Sequence, residues 1–344
     1  MLVTSRRDRR RGVALAALVA AAVLLVTGAP SPAPAAPGGS TADPEGGTPA
    51  LRSALASASQ GYAEARGRIA ASQRRQAALI RQRRVTEARA AALSKDVDLL
   101  AAAAYRNGRL TPLTAVLDSG SVPSFLDNSA LIDQLSTHNN EKMRGLTAAR
   151  KELDRQQRQL IAEIRLQAEQ ERAMAKRKSD AERALRAVGG AASSGFSSSS
   201  SRSAKAAPRA ADGSFAAQGC TVDDPTTAGC LTPRTLNALQ QARAAGFTRF
   251  TACFRQASFG EHPKGRACDF SAAAGGFGGV ATGDDKAYGE RLAGYFVDNA
   301  DRLGVLYVIW FRQIWFPGTG WRAYTSGGGD PASDHTNHVH LSML

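Results

Sequence analysis

The chain reads as an α+β protein: an N-terminal antiparallel helical coiled-coil hairpin, a flexible linker, and a small C-terminal α+β domain with an antiparallel sheet. Three observations predict it. Two long stretches rich in Ala, Arg and Gln carry narrow apolar seams at helical spacing. A Ser/Ala/Gly-rich segment follows them. Beyond it, short apolar runs alternate with glycine-rich turns, and this last third holds all four cysteines and four of the five histidines among 344 residues.

The N-terminus has a basic stretch from Arg6 to Arg11, an apolar run from Val13 to Val26, and Ala33-Pro-Ala35. This is the layout of a secretory signal peptide over residues 1–36, cleaved near Ala35. The run is shorter than the roughly 20 apolar residues that span a bilayer. Export to the outside of a bacterial cell, secreted or associated with the wall, is therefore expected. Residues 37–50 are Pro/Gly-rich and expected to be disordered.

The hairpin is assigned to residues 51–188. From Leu51 to about Ala104 there is no proline, and Leu51, Leu55, Ala58, Tyr62, Ala65 and Ile69 alternate at steps of three and four. A second helix is expected from near Glu141, where Leu146, Leu153, Leu160 and Met174 share a heptad position and Gln167 interrupts it. Between them, Asn107-Gly108, Pro112 and Pro123 predict a tip of short helical pieces. The tip, Tyr105 to Leu113 and Ser124 to Asp127, resembles the coiled coils ahead of many bacterial peptidoglycan hydrolases. That likeness implies a membrane or divisome regulator as a partner.

Residues 189–215, with the serine run Ser197 to Ser201, are the linker, and residues 216–344 the C-terminal domain. Thr232-Pro233 is a helix start, the Thr capping and the Pro at the first helical position, with Gly246 as its end. Phe247–Phe254 and Arg266–Ser271 read as strands, Gly275–Gly283 as a loop, and Asp284–Arg302 as a helix. The apolar run Val305–Phe311 reads as a buried strand, and His338–Met343 as the last one. Four cysteines in an exported chain point to two disulfides with three possible connectivities. The expected pairs are Cys220 with Cys230, across a local loop, and Cys253 with Cys268, between neighbouring strands.

The net charge is +14, yet residues from Cys220 onward carry 11 Lys/Arg and 11 Asp/Glu, so the excess lies upstream. Nucleic acid is not the expected partner of the C-terminal domain.

The chemistry concentrates in two phrases, Glu261-His262 to Asp269 and Asp334-His335 to His340. Period two on a strand puts His338 and His340 on one face. Two imidazoles and a carboxylate suit zinc and leave an open position for water. The phrase His262-x-x-Gly265-x-Ala267-x-Asp269, a preceding Phe254-Arg255 pair and the final His-x-His resemble the zinc peptidase superfamily. That superfamily includes D-Ala-D-Ala carboxypeptidases, lysostaphin-type enzymes and penicillin-insensitive murein endopeptidases.

The resemblance implies His262, Asp269 and His340 as zinc ligands. It departs at Asn337, where the carboxypeptidases place a catalytic Glu, and at Gly260, which replaces a serine. The spacing His335, His338, His340 is similar to that of the murein endopeptidases, which implies His338 as the base and His335 as its helper. Arg255 is a candidate for holding the oxyanion or a substrate carboxylate; Asp334 is a weaker candidate. The expected function is hydrolysis of D-amino-acid-containing bonds in peptidoglycan stem peptides, as carboxypeptidase or endopeptidase, with the coiled coil positioning or regulating the enzyme. The alternative is a non-catalytic protein that binds the wall or activates another hydrolase.

Overall fold

A computed structural model of the chain describes residues 49–108, 114, 116–187, 190–196, 202–325 and 327–344. The expected signal peptide, the Pro/Gly-rich segment up to residue 48 and the run Ser197–Ser201 lie outside the described residues.

The helical hairpin pairs α1 (Pro49–Asn107) with α2 (Val122–Ala187). The second helix starts about twenty residues earlier than the heptad pattern predicted, so the expected short pieces are one continuous helix from Val122. Proline is tolerated in a first turn, where its missing N–H has no partner to lose. Here Ser121 Oγ accepts from Ser124 N (3.3 Å) just ahead of it, with Pro123 inside that turn.

Polar side chains bond across the seam. Ser72 Oγ donates to Glu163 Oε2 (2.8 Å), Arg75 Nε to Glu163 Oε1 (2.8 Å), and Gln76 Nε2 to Gln167 Oε1 (2.8 Å). The Gln167 that interrupts the stripe thus pairs across the hairpin with Gln76. Among the described residues, no helix is long and apolar enough to cross a membrane.

The C-terminal domain is α+β with an antiparallel sheet. A ribbon of β1 (Val222–Asp223) and β2 (Cys230–Leu231) leads into α3 (Pro233–Ala244). There Thr232 caps with its side chain accepting from Thr235 N, as its Thr-Pro start predicted. The six-stranded sheet has the order β3-β4-β8-β5-β6-β7, every neighbour antiparallel. Its strands are β3 (Thr251–Ala252), β4 (Ala267–Ser271), β5 (Val305–Trp310), β6 (Gln313–Phe316), β7 (Gly320–Ala323) and β8 (His338–Met343). The strand expected over 247–254 shrinks to two residues.

The helix expected over 284–302 divides into α4 (Gly283–Asp298) and α5 (Ala300–Leu303). Asn299 stands at the break, Nδ2 donating to Tyr295 O (3.0 Å) while Oδ1 accepts from Ala204 N (2.7 Å). The β6–β7 hairpin, turning at Pro317-Gly318, was not anticipated. The disulfides are Cys220–Cys230 and Cys253–Cys268, the expected pairs.

Strand alternation gives the sheet two different faces. Phe270, Val308, Val339 and Leu341 point to one side, packing under Leu239 of α3 and Leu292 and Phe296 of α4. Tyr307, Ile309, Ile314 and Phe316 form a second core with Leu55 and Ala58 of α1 and Ala181 and Leu185 of α2. The hairpin root is therefore built into the domain.

The segment expected to be a flexible linker is, where described, docked onto the domain. Ala192 bridges Arg322, Phe196 meets Trp321 edge-on (5.1 Å), and Ala207 N donates to Arg302 O (2.7 Å). Phe215 lies under the Arg209 guanidinium (3.8 Å). Its composition is linker-like, but its backbone groups and few apolar side chains find partners on α5 and β7.

Candidate metal centre

The histidine phrases converge because β4 and β8 are neighbours in register. Asp269 stands opposite His340, and Ser271 opposite His338, so these side chains share one face. That face is the one whose β5–β6 half is covered by the hairpin root.

His262 comes from outside the sheet, at the start of a short 3-10 turn (His262–Lys264) that Gly265 ends at φ 65. The left-handed backbone favours glycine there. A Cβ would also meet Cys220 Sγ at 2.4 Å and Cys230 O at 2.6 Å. Gly265 O accepts from Thr232 N (2.9 Å), tying the turn to the start of α3. These constraints explain the glycine in His262-x-x-Gly265.

His262, Asp269 and His340 are almost fully buried, and each offers an acceptor to one point. His340 Nδ1 is 2.8 Å from Asp269 Oδ1, His262 Nε2 is 3.2 Å from the same oxygen, and the two imidazole nitrogens are 3.3 Å apart. Ligand atoms around a tetrahedral zinc, with bonds of about 2.0–2.1 Å, lie about 3.3–3.4 Å from one another.

The groups behind these three side chains set their lone pairs. His262 Nδ1 donates to the Cys253 carbonyl, leaving Nε2 unprotonated toward the site. His340 Nε2 faces Ser342 Oγ at 2.8 Å; in the tautomer that donates there, Nδ1 presents its lone pair. Asp269 gives its other oxygen to Arg255 Nη1 at 2.5 Å. Burial by itself raises the Asp269 carboxyl, but His262, Arg255 and His338 outweigh it and hold the carboxyl well below its ordinary range. The donor set, two imidazoles and a carboxylate with its charge retained, could hold a divalent metal ion.

His338 Nε2 lies 3.5 Å from Asp269 Oδ1. Its Nδ1 contacts Asn337 Oδ1 (2.7 Å), while Asn337 Nδ2 donates to Gly278 O (2.8 Å). With Nδ1–H donated to Asn337, Nε2 faces the cluster as an acceptor. Burial pushes the His338 imidazole down to about 4, against the opposite pull of Asp269. His335 packs on it (ring centroids 4.8 Å apart), held at φ 52 with Nδ1 donating to Ser333 O (3.1 Å). Burial, reinforced by His338 and His340, puts His335 well below the usual imidazole range.

The structure thus gathers His262, Asp269, His340, His338 and His335 in one place. Arg255 reaches them too, but on Asp269, where it orients the carboxylate instead of lying free for an oxyanion. Asp334 stands apart in an ion pair with Arg312 (Nε to Oδ2 3.0 Å). Sequence reasoning missed Ser342, the Cys253 carbonyl, and Tyr307, whose ring stacks on His340 at 5.5 Å. Ser342 follows His338 and His340 at the same period of two and was open to that reading. The Cys253 group is backbone and leaves no sequence signal.

The fold and site together define a small antiparallel α+β domain with a buried two-histidine, one-aspartate cluster. The family model described as VldE, C-terminal domain, matches residues 227–338. The match takes in His262, Asp269, His335 and His338 and stops short of His340, and it spans less than half of the chain. No curated protein and no solved structure matches.

Proposed function

We propose that this chain is an exported zinc-dependent peptidase acting on D-amino-acid-containing bonds of peptidoglycan stem peptides. The carrying observation is the convergence of His262 Nε2, Asp269 Oδ1 and His340 Nδ1, with the acceptor nitrogen of His338 facing the same cluster. A zinc ion held by the three ligands would bring the pKa of a bound water to about 7 and polarise a peptide carbonyl. His338 then takes a proton at Nε2 and returns it to the leaving amine, a role typically worth about 10²- to 10⁴-fold. Asn337 fixes the His338 tautomer, and His335 backs its ring.

Two disulfides are in keeping with an oxidising, extracellular location. The hairpin root packs on the site's own sheet face, which supports a positioning or regulating role for the coiled coil through a membrane or divisome partner. The full chain, loaded with zinc and incubated with sacculi, is expected to release peptides identifiable by mass spectrometry, and His338→Ala to release none while keeping its metal. Absence of both zinc binding and release would overturn the reading.

A second reading, a non-catalytic protein that binds the wall or activates another hydrolase, is favoured by one observation. Asn337, at the position of the carboxypeptidases' Glu, is committed to His338 and Gly278 and has no proton to exchange.

A further inference from the structure

Among the described residues, three that are not glycine hold a positive φ: Phe311 (47), Arg312 (59) and His335 (52). The three are joined to one another. Trp310 pairs with Gln313, so Phe311 and Arg312 form the whole loop of the β5–β6 hairpin. Phe311 N donates to His335 O (2.8 Å), and Arg312 N to Asp334 O (3.2 Å). Left-handed backbone disfavours any residue with a Cβ, bulky ones most, and it persists where the surroundings fix it, often at a working site. A two-residue hairpin loop with both residues at positive φ ordinarily takes Asn-Gly.

Packing accounts for one of the two loop residues. The Phe311 ring lies partly buried against the core, tilted on Trp310 (5.4 Å), with Lys286 Nζ 4.7 Å from its centre. Arg312 has no such seat, because its side chain is 64% exposed. What it reaches is the buried Asp334: Nε donates to Oδ2 at 3.0 Å, and Nη2 donates to the same oxygen. The other carboxylate oxygen accepts from Gly329 N (3.4 Å). Arg312 therefore grips, by side chain and by backbone, the residue that precedes His335. Its own carbonyl accepts from Tyr324 N (2.8 Å), and the Tyr324 ring meets His335 edge-on at 5.2 Å. The His335 ring in turn lies 4.8 Å from that of His338 and 5.6 Å from that of His340.

We propose that Arg312 is a positioning residue of the site: through Asp334 it fixes His335, and through His335 the ring of His338, without touching the three metal ligands. An exposed ion pair adds little to stability, so the effect of this one falls on geometry. The proposal rests on the peptidase reading for its kinetic consequence alone, and its test separates the two.

The zinc-loaded full chain is compared with Arg312→Gly, which removes the guanidinium and at the same time relieves the loop backbone. The variant is expected to keep its zinc and a Tm at or above that of the wild type. In histidine-labelled protein the imidazole nitrogen signals of His335 and His338, assigned with His335→Gln and His338→Gln, should nonetheless move or broaden. With soluble peptidoglycan fragments, kcat should fall about 10- to 100-fold with KM within about twofold, the scale of a catalytic group held out of place. Arg312→Lys, which keeps a donor, restores part of the rate. Asp334→Asn should reproduce the loss, and the double variant should lose no more than either single one, as expected of two residues acting through one contact. Imidazole signals left unmoved by Arg312→Gly, an unchanged kcat in a chain that cuts, or losses that add in the double variant would overturn the proposal. If the signals move and the wild type cuts nothing, the positioning role stands and the peptidase reading falls.

Discussion

Asp269 and His340 face each other in register across β4 and β8, Oδ1 to Nδ1 at 2.8 Å, while the second carboxylate oxygen of Asp269 is held by Arg255 at 2.5 Å. One carboxylate therefore points a lone pair at the cluster and has its direction fixed from behind. A group that orients a ligand in this way supports metal binding without touching the metal.

Arg255→Ala is accordingly expected to weaken zinc binding by about 10- to 100-fold, the usual effect of removing a group that holds a metal ligand in place. Competition against a chelating dye measures it. Unchanged affinity with cleavage lost would return Arg255 to the oxyanion or substrate role that its place in the sequence first indicated.

The Cys253–Cys268 disulfide joins the residue whose carbonyl anchors His262 to the strand that carries Asp269. The sequence separation is 15. A closed loop of that size stabilises by about 3 kcal/mol in the chain-entropy picture. Replacing both cysteines with serine is expected to lower the calorimetric Tm by several degrees and to loosen metal binding. A variant with unchanged Tm would show that the bridge constrains nothing.

Leu55 and Leu185 bring the hairpin root to the sheet core. Truncating either to alanine should cost about 2–5 kcal/mol. Because root and sheet share that core, urea unfolding followed by both helical and tryptophan signals should shift as one transition. Two separate transitions, with only the helical one moved, would mean the root rests on the domain without stabilising it.

Asp224 organises the segment ahead of Arg255. It accepts from Phe254 N (2.8 Å), Thr226 N (2.8 Å) and the hydroxyls of Thr226 and Thr227. Burial alone raises its carboxyl, but these donors together hold it below the ordinary value. A depressed folded pKa adds stability that is complete above the unfolded value of about 3.9 and disappears as pH falls through the folded value. Asp224→Asn should therefore be destabilised near pH 7, the gap from wild type closing toward pH 2 in a urea midpoint series. A gap independent of pH would assign the effect to lost geometry instead of charge.

Much of the site was legible because histidine is scarce in this chain and its spacing is chemical. The phrase ending at Asp269 and the alternation of His338 and His340 mark two strands, and the disulfides matched the expected local loop for Cys220–Cys230 and neighbouring strands for Cys253–Cys268. The Thr232-Pro233 start was equally plain, since capping is local. What covers the site's sheet face was not legible. Leu55 read as an ordinary seam residue, and only the tertiary fold shows it sharing a core with Leu185, Ile309 and Ile314. Arg255 likewise read as an oxyanion or substrate contact, and its partner Asp269 lies 14 residues on, in β4. The β6–β7 hairpin escaped because its strands are four residues each, too short for an alternation to stand out.

The central claim is a metal held by His262, Asp269 and His340 with His338 left free to act. Elemental analysis of the purified full chain after zinc loading and dialysis tests it most directly. The account predicts one zinc per chain in the wild type and in His338→Ala, and none in His340→Ala. Wild-type protein without zinc, or metal lost with His338 and kept without His340, would contradict it.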